Sequence, residues 1–248
     1  MNFTEMLVLS SIMGLSIFVS LPIVLHKGTG QRRTALLTAV AIGILIFLMG
    51  DIFSNAAASL YNGSFYGYGS SVSHDLVFSI SLAAGFLVLL LAESRSKKGL
   101  TPTQLALMIA IGMGFQNLTE GLVFGSLGVT VGLSGAALVV LVGFIFQNVT
   151  EGFPIASPFL GKAQGKIRLL LVFFLIGGLP TILGGAVGFF YNSVTFDLVF
   201  DGVAIGAILY AILPMLKAIF RESTLEMQRL SYLGVFIGFL LGFLVNLV

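Results

Sequence analysis

Long apolar runs separated by short polar breaks set the pattern of the chain. They lie near Met6 to Leu25, Ala35 to Ala58, Asp75 to Ala92, Leu105 to Phe124, Val131 to Phe159, Leu169 to Phe190, Phe196 to Ile219 and Leu230 to Val248. Crossing roughly 30 Å of hydrocarbon takes about 20 apolar residues in a helix. The eight runs therefore predict an all-α membrane protein of eight transmembrane helices, a single transmembrane domain over residues 1–248. The first run has no basic residue before it and no small-residue cleavage site behind it, so it reads as a span and not as a removable signal peptide.

Composition supports the same class. Of 248 residues, 57% are hydrophobic and 9% charged, against about a quarter charged in a soluble domain. With no cysteine and only two histidines, His26 and His74, disulfides, thiolate metal sites and histidine-rich sites are excluded. The 12 basic residues fall in four alternate loops: Lys27, Arg32 and Arg33; Arg95, Lys97 and Lys98; Lys162, Lys166 and Arg168; Lys217, Arg221 and Arg229. Basic residues in short loops stay cytoplasmic, which predicts both termini extracellular on a multi-pass protein of the cell membrane. The net charge of +2 is thus a topology signal and no sign of nucleic-acid binding. Small-xxx-small pairs at Gly121 and Gly125, Gly184 and Gly188, Gly202 and Gly206, and Gly238 and Gly242 predict close helix packing.

One heptapeptide occurs twice. Phe115 to Gly121 reads FQNLTEG and Phe146 to Gly152 reads FQNVTEG. Each copy lies inside an apolar run, and consecutive spans run in opposite directions, so the copies face one another as an inverted repeat at the centre of the bundle, a construction transporters use for substrate sites. At about 100° per residue, with the glutamine at zero, the asparagine falls near 100° and the glutamate near 40°. Packing the two faces brings Gln116, Asn117 and Glu120 against Gln147, Asn148 and Glu151. An acidic residue at the centre of a span costs about 2.5–3.5 kcal/mol or more, and two facing carboxylates repel. A divalent cation removes both penalties, which makes Glu120 and Glu151 candidate shared ligands. Hydrogen-bonded glue between helices is the plainer alternative, but glue needs no charge. Pro154 in helix five and Pro180 in helix six each remove a backbone bond and predict a bend.

With eight spans, both termini outside and paired Asn-x-x-Glu-Gly motifs on helices four and five, the chain resembles the ZIP family of divalent-metal transporters over nearly its whole length. The resemblance implies metal binding at Gln116, Asn117, Glu120, Gln147, Asn148 and Glu151, a homodimer, import toward the cytoplasm, and a cycle in which helices one, four, five and six move as a unit. The chain departs from the family's pattern at Gln116, where helix four typically carries histidine. Thr181, before Gly184, and Ile212 and Leu213, before Pro214, stand where acids are often found. One metal site is therefore expected, not two. The family points to zinc, whereas an all-oxygen ligand set suits harder ions; the expected cargo is zinc, with manganese, iron or cadmium also accepted.

Asp51 and Asp201 are candidates for a path toward the site, because both sit deeper than their helix ends. Asp75 and Asp197 read as helix-start acids complementing the macrodipole. His74 reads as a surface residue, and Glu93, Glu222 and Glu226 as balancing nearby basic groups. No enzyme is expected. An intramembrane metalloenzyme would want histidine ligands and a separate base. A proton-coupled carrier of a small organic solute remains the other alternative.

Overall fold

Within the described residues each predicted apolar run is largely helical in the structure, a computed structural model that describes residues 1–22, 31–61, 71–94, 100–160, 167–191, 193–220 and 224–245; the ends of the first and last runs lie outside them. The helices are α1 (Phe3–Leu15, tightening into a 3₁₀ turn at Ser16–Ser20), α2 (Gln31–Leu60), α3 (Val72–Ser94), α4 (Pro102–Thr130), α5 (Gly135–Ala156, followed by a 3₁₀ turn at Ser157–Phe159), α6 (Ile167–Phe190), α7 (Val194–Phe220) and α8 (Leu225–Val245). Counting α1 and α5 with their 3₁₀ turns, eight helical segments among the described residues are long and apolar enough to cross a bilayer, and the chain is a multi-pass membrane protein. Large apolar side chains such as Val88, Leu183 and Phe236 remain exposed on the rim, as a lipid-facing surface requires.

Local sequence fixes the helix starts. Asn2 caps α1 by accepting from the Glu5 amide at 2.8 Å, while Glu5 accepts from the Asn2 amide at 2.8 Å. Thr101 and Gln104 make the same reciprocal box for α4, with Pro102 at its first position. Such caps satisfy amides that have no partner inside the helix.

The boundary between α4 and α5 differs from the sequence expectation. Helix α4 runs to Thr130 and not Phe124, and α5 begins at Gly135 and not Val131. The glycines past Phe124 read as a break, but Gly125 and Gly128 are buried in the helix. The turn falls where Gly132 takes a positive φ of 63° and Ser134 caps α5 by accepting from the Ala137 amide.

The helices pack in two groups. In one, α4 lies along α6, α1 along α6, and the Ser16–Ser20 turn along α5; in the other, α2 pairs with α8 and α3 with α7, and α2 also packs on α7. Contact between the groups runs chiefly through α4 against α7, with a smaller one between α2 and α5. Glycines let the backbones meet. A Cβ on Gly121 would collide with the Thr181 carbonyl, one on Gly184 with the Leu118 carbonyl, one on Gly206 with the Leu82 carbonyl and one on Gly238 with the Val40 carbonyl. The small-residue pairs are therefore packing seams, as expected.

Of the basic residues, Arg32, Arg33, Arg168, Lys217 and Arg229 are exposed at or near helix ends. None of the five lies in a loop, where the sequence reading put them: Arg32 and Arg33 fall in the first turn of α2, Arg168 at the start of α6, Lys217 in the last turn of α7 and Arg229 inside α8, which begins at Leu225. Arg32 pairs with Glu226 at 2.7 Å, which puts the starts of α2 and α8 at one end of the bundle. Lys27, Arg95, Lys97, Lys98, Lys162, Lys166, Arg221, His26 and Glu222 lie outside the described residues. Helices α5 and α6 continue unbroken through Pro154 and Pro180.

Candidate metal site between α4 and α5

The polar residues of the repeat form one buried cluster. Gln116, Asn117, Glu120, Gln147, Asn148 and Glu151 are all buried, with Asn117, Asn148 and Glu151 at 0% exposure. All six residues expected at the site are thus brought into the same region of the bundle.

Their hydrogen bonds cross between the helices reciprocally. Asn117 Nδ2 donates to Glu151 Oε2 at 2.8 Å, and Asn148 Nδ2 donates to Glu120 Oε2 at 3.3 Å. Within α4, Gln116 Nε2 donates to Glu120 Oε1 at 3.1 Å. Partners 117 with 151 and 120 with 148 mean that one index rises as the other falls, which is antiparallel packing.

This register corrects one detail of the sequence reading. An antiparallel Asn-x-x-Glu pair sets each asparagine opposite a glutamate, so the carboxylates are not level. They are staggered by three residues of helix, about 4.5 Å along the axis at ~1.5 Å per residue. Glu120 and Glu151 nevertheless lie within Coulombic range of each other, and neither has a basic partner among the described residues.

The cluster is anchored from both sides. Asn117 Nδ2 also donates to the Gly177 carbonyl of α6 at 3.0 Å, and Asn148 Nδ2 to the Phe144 carbonyl of its own helix at 3.0 Å. Gly152, which closes the second motif, lies against the Ile17 carbonyl and Ser20 Oγ, leaving no space for a Cβ. The 3₁₀ turn after α1 is thus pressed onto α5 directly behind Glu151.

Several oxygens in the cluster have no hydrogen-bond partner among the described residues: Gln116 Oε1, Asn117 Oδ1, Asn148 Oδ1 and Glu151 Oε1, with Thr181 Oγ1 of α6 in the same condition. Buried acceptors are normally paired, and an unpaired one costs about 1–3 kcal/mol. A hard cation takes such lone pairs. Among the described residues, no group of three or more His, Cys, Asp or Glu could hold a metal, so a cation here would need the amide oxygens as well as the two carboxylates.

A cavity of about 330 Å³ reaches the cluster between α2, α4, α5 and α7. Asp51 and Asp201, expected on the path toward the site, both line it. So does Asp197, read from sequence only as a helix-start acid; it lies in the first turn of α7 as expected, but in the cavity wall as well. Glu120 lines the cavity and Glu151 does not, so Glu120 is the member of the pair next to the cavity. Thr119 was not singled out in the sequence, yet it lines the cavity together with Asp201 of α7. Its position, three residues after Gln116, puts it about 60° to the other side of the glutamine, on the edge turned to α7. Asp75 stays in the first turn of α3, away from the cavity lining.

No protein-family model matches the chain, and no curated protein matches it.

Proposed function

We propose that this protein carries divalent metal ions across the cell membrane toward the cytoplasm by alternating access, with Gln116, Asn117, Glu120, Gln147, Asn148 and Glu151 as the transport site. The observation that carries this reading is the amide-framed pair Glu120 and Glu151, which has no basic partner among the described residues and is surrounded by buried oxygens that lack partners among them. Reciprocal asparagine–glutamate bonds alone would serve as glue between helices. Glutamine at positions 120 and 151 would do that without placing two anions where each costs about 2.5–3.5 kcal/mol. The charge has a purpose when the occupant is doubly positive. Amide and carboxylate oxygens without imidazole or thiolate favour hard ions, so zinc, in keeping with the resemblance to the ZIP family, is joined by manganese, iron or cadmium as cargo. The same resemblance leads to a homodimer in the bilayer with both termini outside. No enzymatic activity is proposed.

Uptake of radioactive zinc into proteoliposomes tests the reading. Wild-type protein should give saturable uptake that excess manganese suppresses, and Glu120→Gln/Glu151→Gln should reduce it to the level of empty liposomes. Undiminished uptake by the double variant would reject the site. Solute-dependent proton movement with no metal uptake would favour the proton-coupled carrier instead.

A further inference from the structure

One buried hydroxyl has no place in the transport site. Tyr210 of α7 is 3% exposed, and its Oη has no hydrogen-bond partner among the described residues. Tyr61 is half-buried at the end of α2, and Tyr191 and Tyr232 are exposed, so Tyr210 is the one buried tyrosine among the described residues. Short hydroxyls escape this condition by bonding their own helix, as Ser157 does to the Pro154 carbonyl and Ser231 to the Met227 carbonyl. A tyrosine ring holds its oxygen too far from its own backbone for that. Packing does not call for the oxygen either. The ring meets Phe86 of α3 edge-on with centroids 5.5 Å apart, a contact that phenylalanine, used 23 times in this chain against 6 tyrosines, would make equally well.

The hydroxyl lies at the boundary between the two packing groups. Tyr210 and Ala207 of α7 cluster with Leu89 and Phe86 of α3, Met108 of α4 and Leu100 just before it, and none of these neighbours has a polar side chain. Helices α4 and α7 are close here, since a Cβ built on Gly112 would lie 3.2 Å from the Ala207 Cβ. Tyr210 stands nine residues past Asp201 in α7, about 13 Å along the axis. Met108 precedes Gln116 in α4, so the cluster sits beyond the cavity, toward the end at which α4 begins. The hydroxyl is therefore dry while α4 and α7 are closed on each other at this end, and water reaches it when they part. Burying a hydroxyl without a partner costs free energy, and only the closed arrangement carries that cost.

We propose that Tyr210 sets the balance between the closed and open arrangements of the α4–α7 boundary at the end opposite the cavity. Its unpaired hydroxyl burdens the closed arrangement and is satisfied by water in the open one. The proposal rests on the reading of this chain as an alternating-access carrier, in which that end must open to release the ion. Tyr210 touches no ion; it acts through the equilibrium between the two arrangements.

Tyr210→Phe removes the oxygen and keeps the ring. Ala207→Cys, in the same cluster, supplies a reporter in a chain that has no cysteine, because a maleimide reaches the thiol when the boundary opens. In detergent, maleimide should label Ala207→Cys about tenfold faster than Ala207→Cys/Tyr210→Phe, the factor expected from one unpaired buried hydroxyl. Tyr210→Phe alone should unfold at a temperature no lower than the wild type does. In proteoliposomes it should lower the maximal rate of zinc uptake with no rise in the half-saturating concentration. Equal labelling rates overturn the proposal. So does unfolding of Tyr210→Phe at a lower temperature, which would mean that the hydroxyl is satisfied in the closed arrangement. If the wild type carries no zinc and labelling still slows in the phenylalanine variant, the carrier reading fails and the role of the hydroxyl stands; zinc uptake by the wild type with equal labelling rates has the reverse meaning.

Discussion

At the scale of single residues, Asn117 does the most connecting. Its amide holds Glu151 of α5 and the Gly177 carbonyl of α6 at once, so Asn117→Ala strips two buried acceptors of their donor. An acceptor left unpaired in the interior costs about 1–3 kcal/mol, and thermal unfolding in detergent should show a destabilisation of that order. Thr150, the neighbour of Glu151, donates only to the Gln147 carbonyl of its own helix at 2.7 Å. Thr150→Val should therefore change stability by no more than about 0.5 kcal/mol; an equal loss in both variants would show that the cross-helix bonds contribute nothing special. Residue identities at this site were legible in the sequence because the heptapeptide repeat fixes which side chains share a helix face. Their level was not. The stagger of Glu120 and Glu151 depends on the antiparallel register, and the roles of Thr119 and Asp197 depend on α7, which lies far along the chain from the repeat.

At the scale of helices, the number of spans could be read from hydropathy, since a run long enough to cross the hydrocarbon has few other folds available. The end of α4 could not, because a glycine-rich stretch reads as a break until a partner helix is there to pack against it. That partner is α6, and the seam makes a sharp prediction. A side chain at Gly184 would meet the Leu118 carbonyl, and one at Gly188 the Leu122 carbonyl. Gly184→Leu must push α6 from α4 next to Glu120; overpacking of this kind costs about 1–3 kcal/mol, and zinc uptake should fall with it. Gly50 in α2 is exposed with nothing within 4 Å of an added Cβ. There, Gly50→Ala should be neutral or stabilising by up to about 1 kcal/mol, the helix-propensity difference. Thermal unfolding of the two variants side by side distinguishes a packing seam from a merely glycine-rich composition, which would give both the same response.

At the scale of the whole molecule, the packing groups place the glutamate pair and the acidic wall of the cavity beside it on different bodies. The glutamate pair lies wholly on α4 and α5, in the group with α1 and α6, while Asp51, Asp197 and Asp201 lie on α2 and α7 of the other group. If access alternates by displacement of one group against the other, the α4–α7 boundary is where sliding must occur, and fixing it should stop transport without touching a ligand. Gly112 of α4 and Ala207 of α7 suit this test, because a Cβ built on Gly112 lies 3.2 Å from the Ala207 Cβ. Disulfides span Cβ atoms about 3.5–4.5 Å apart, so a shift of a few tenths of an ångström admits the bond. The chain has no cysteine of its own, which leaves the engineered pair free of competing thiols. In Gly112→Cys/Ala207→Cys, oxidation should lower zinc uptake at least tenfold and reduction should restore it, while manganese binding measured by dialysis stays at the wild-type level. Full uptake in the oxidised protein would place the moving boundary elsewhere in the bundle. Loss of binding on oxidation would mean that the bond had distorted the site and not arrested its movement.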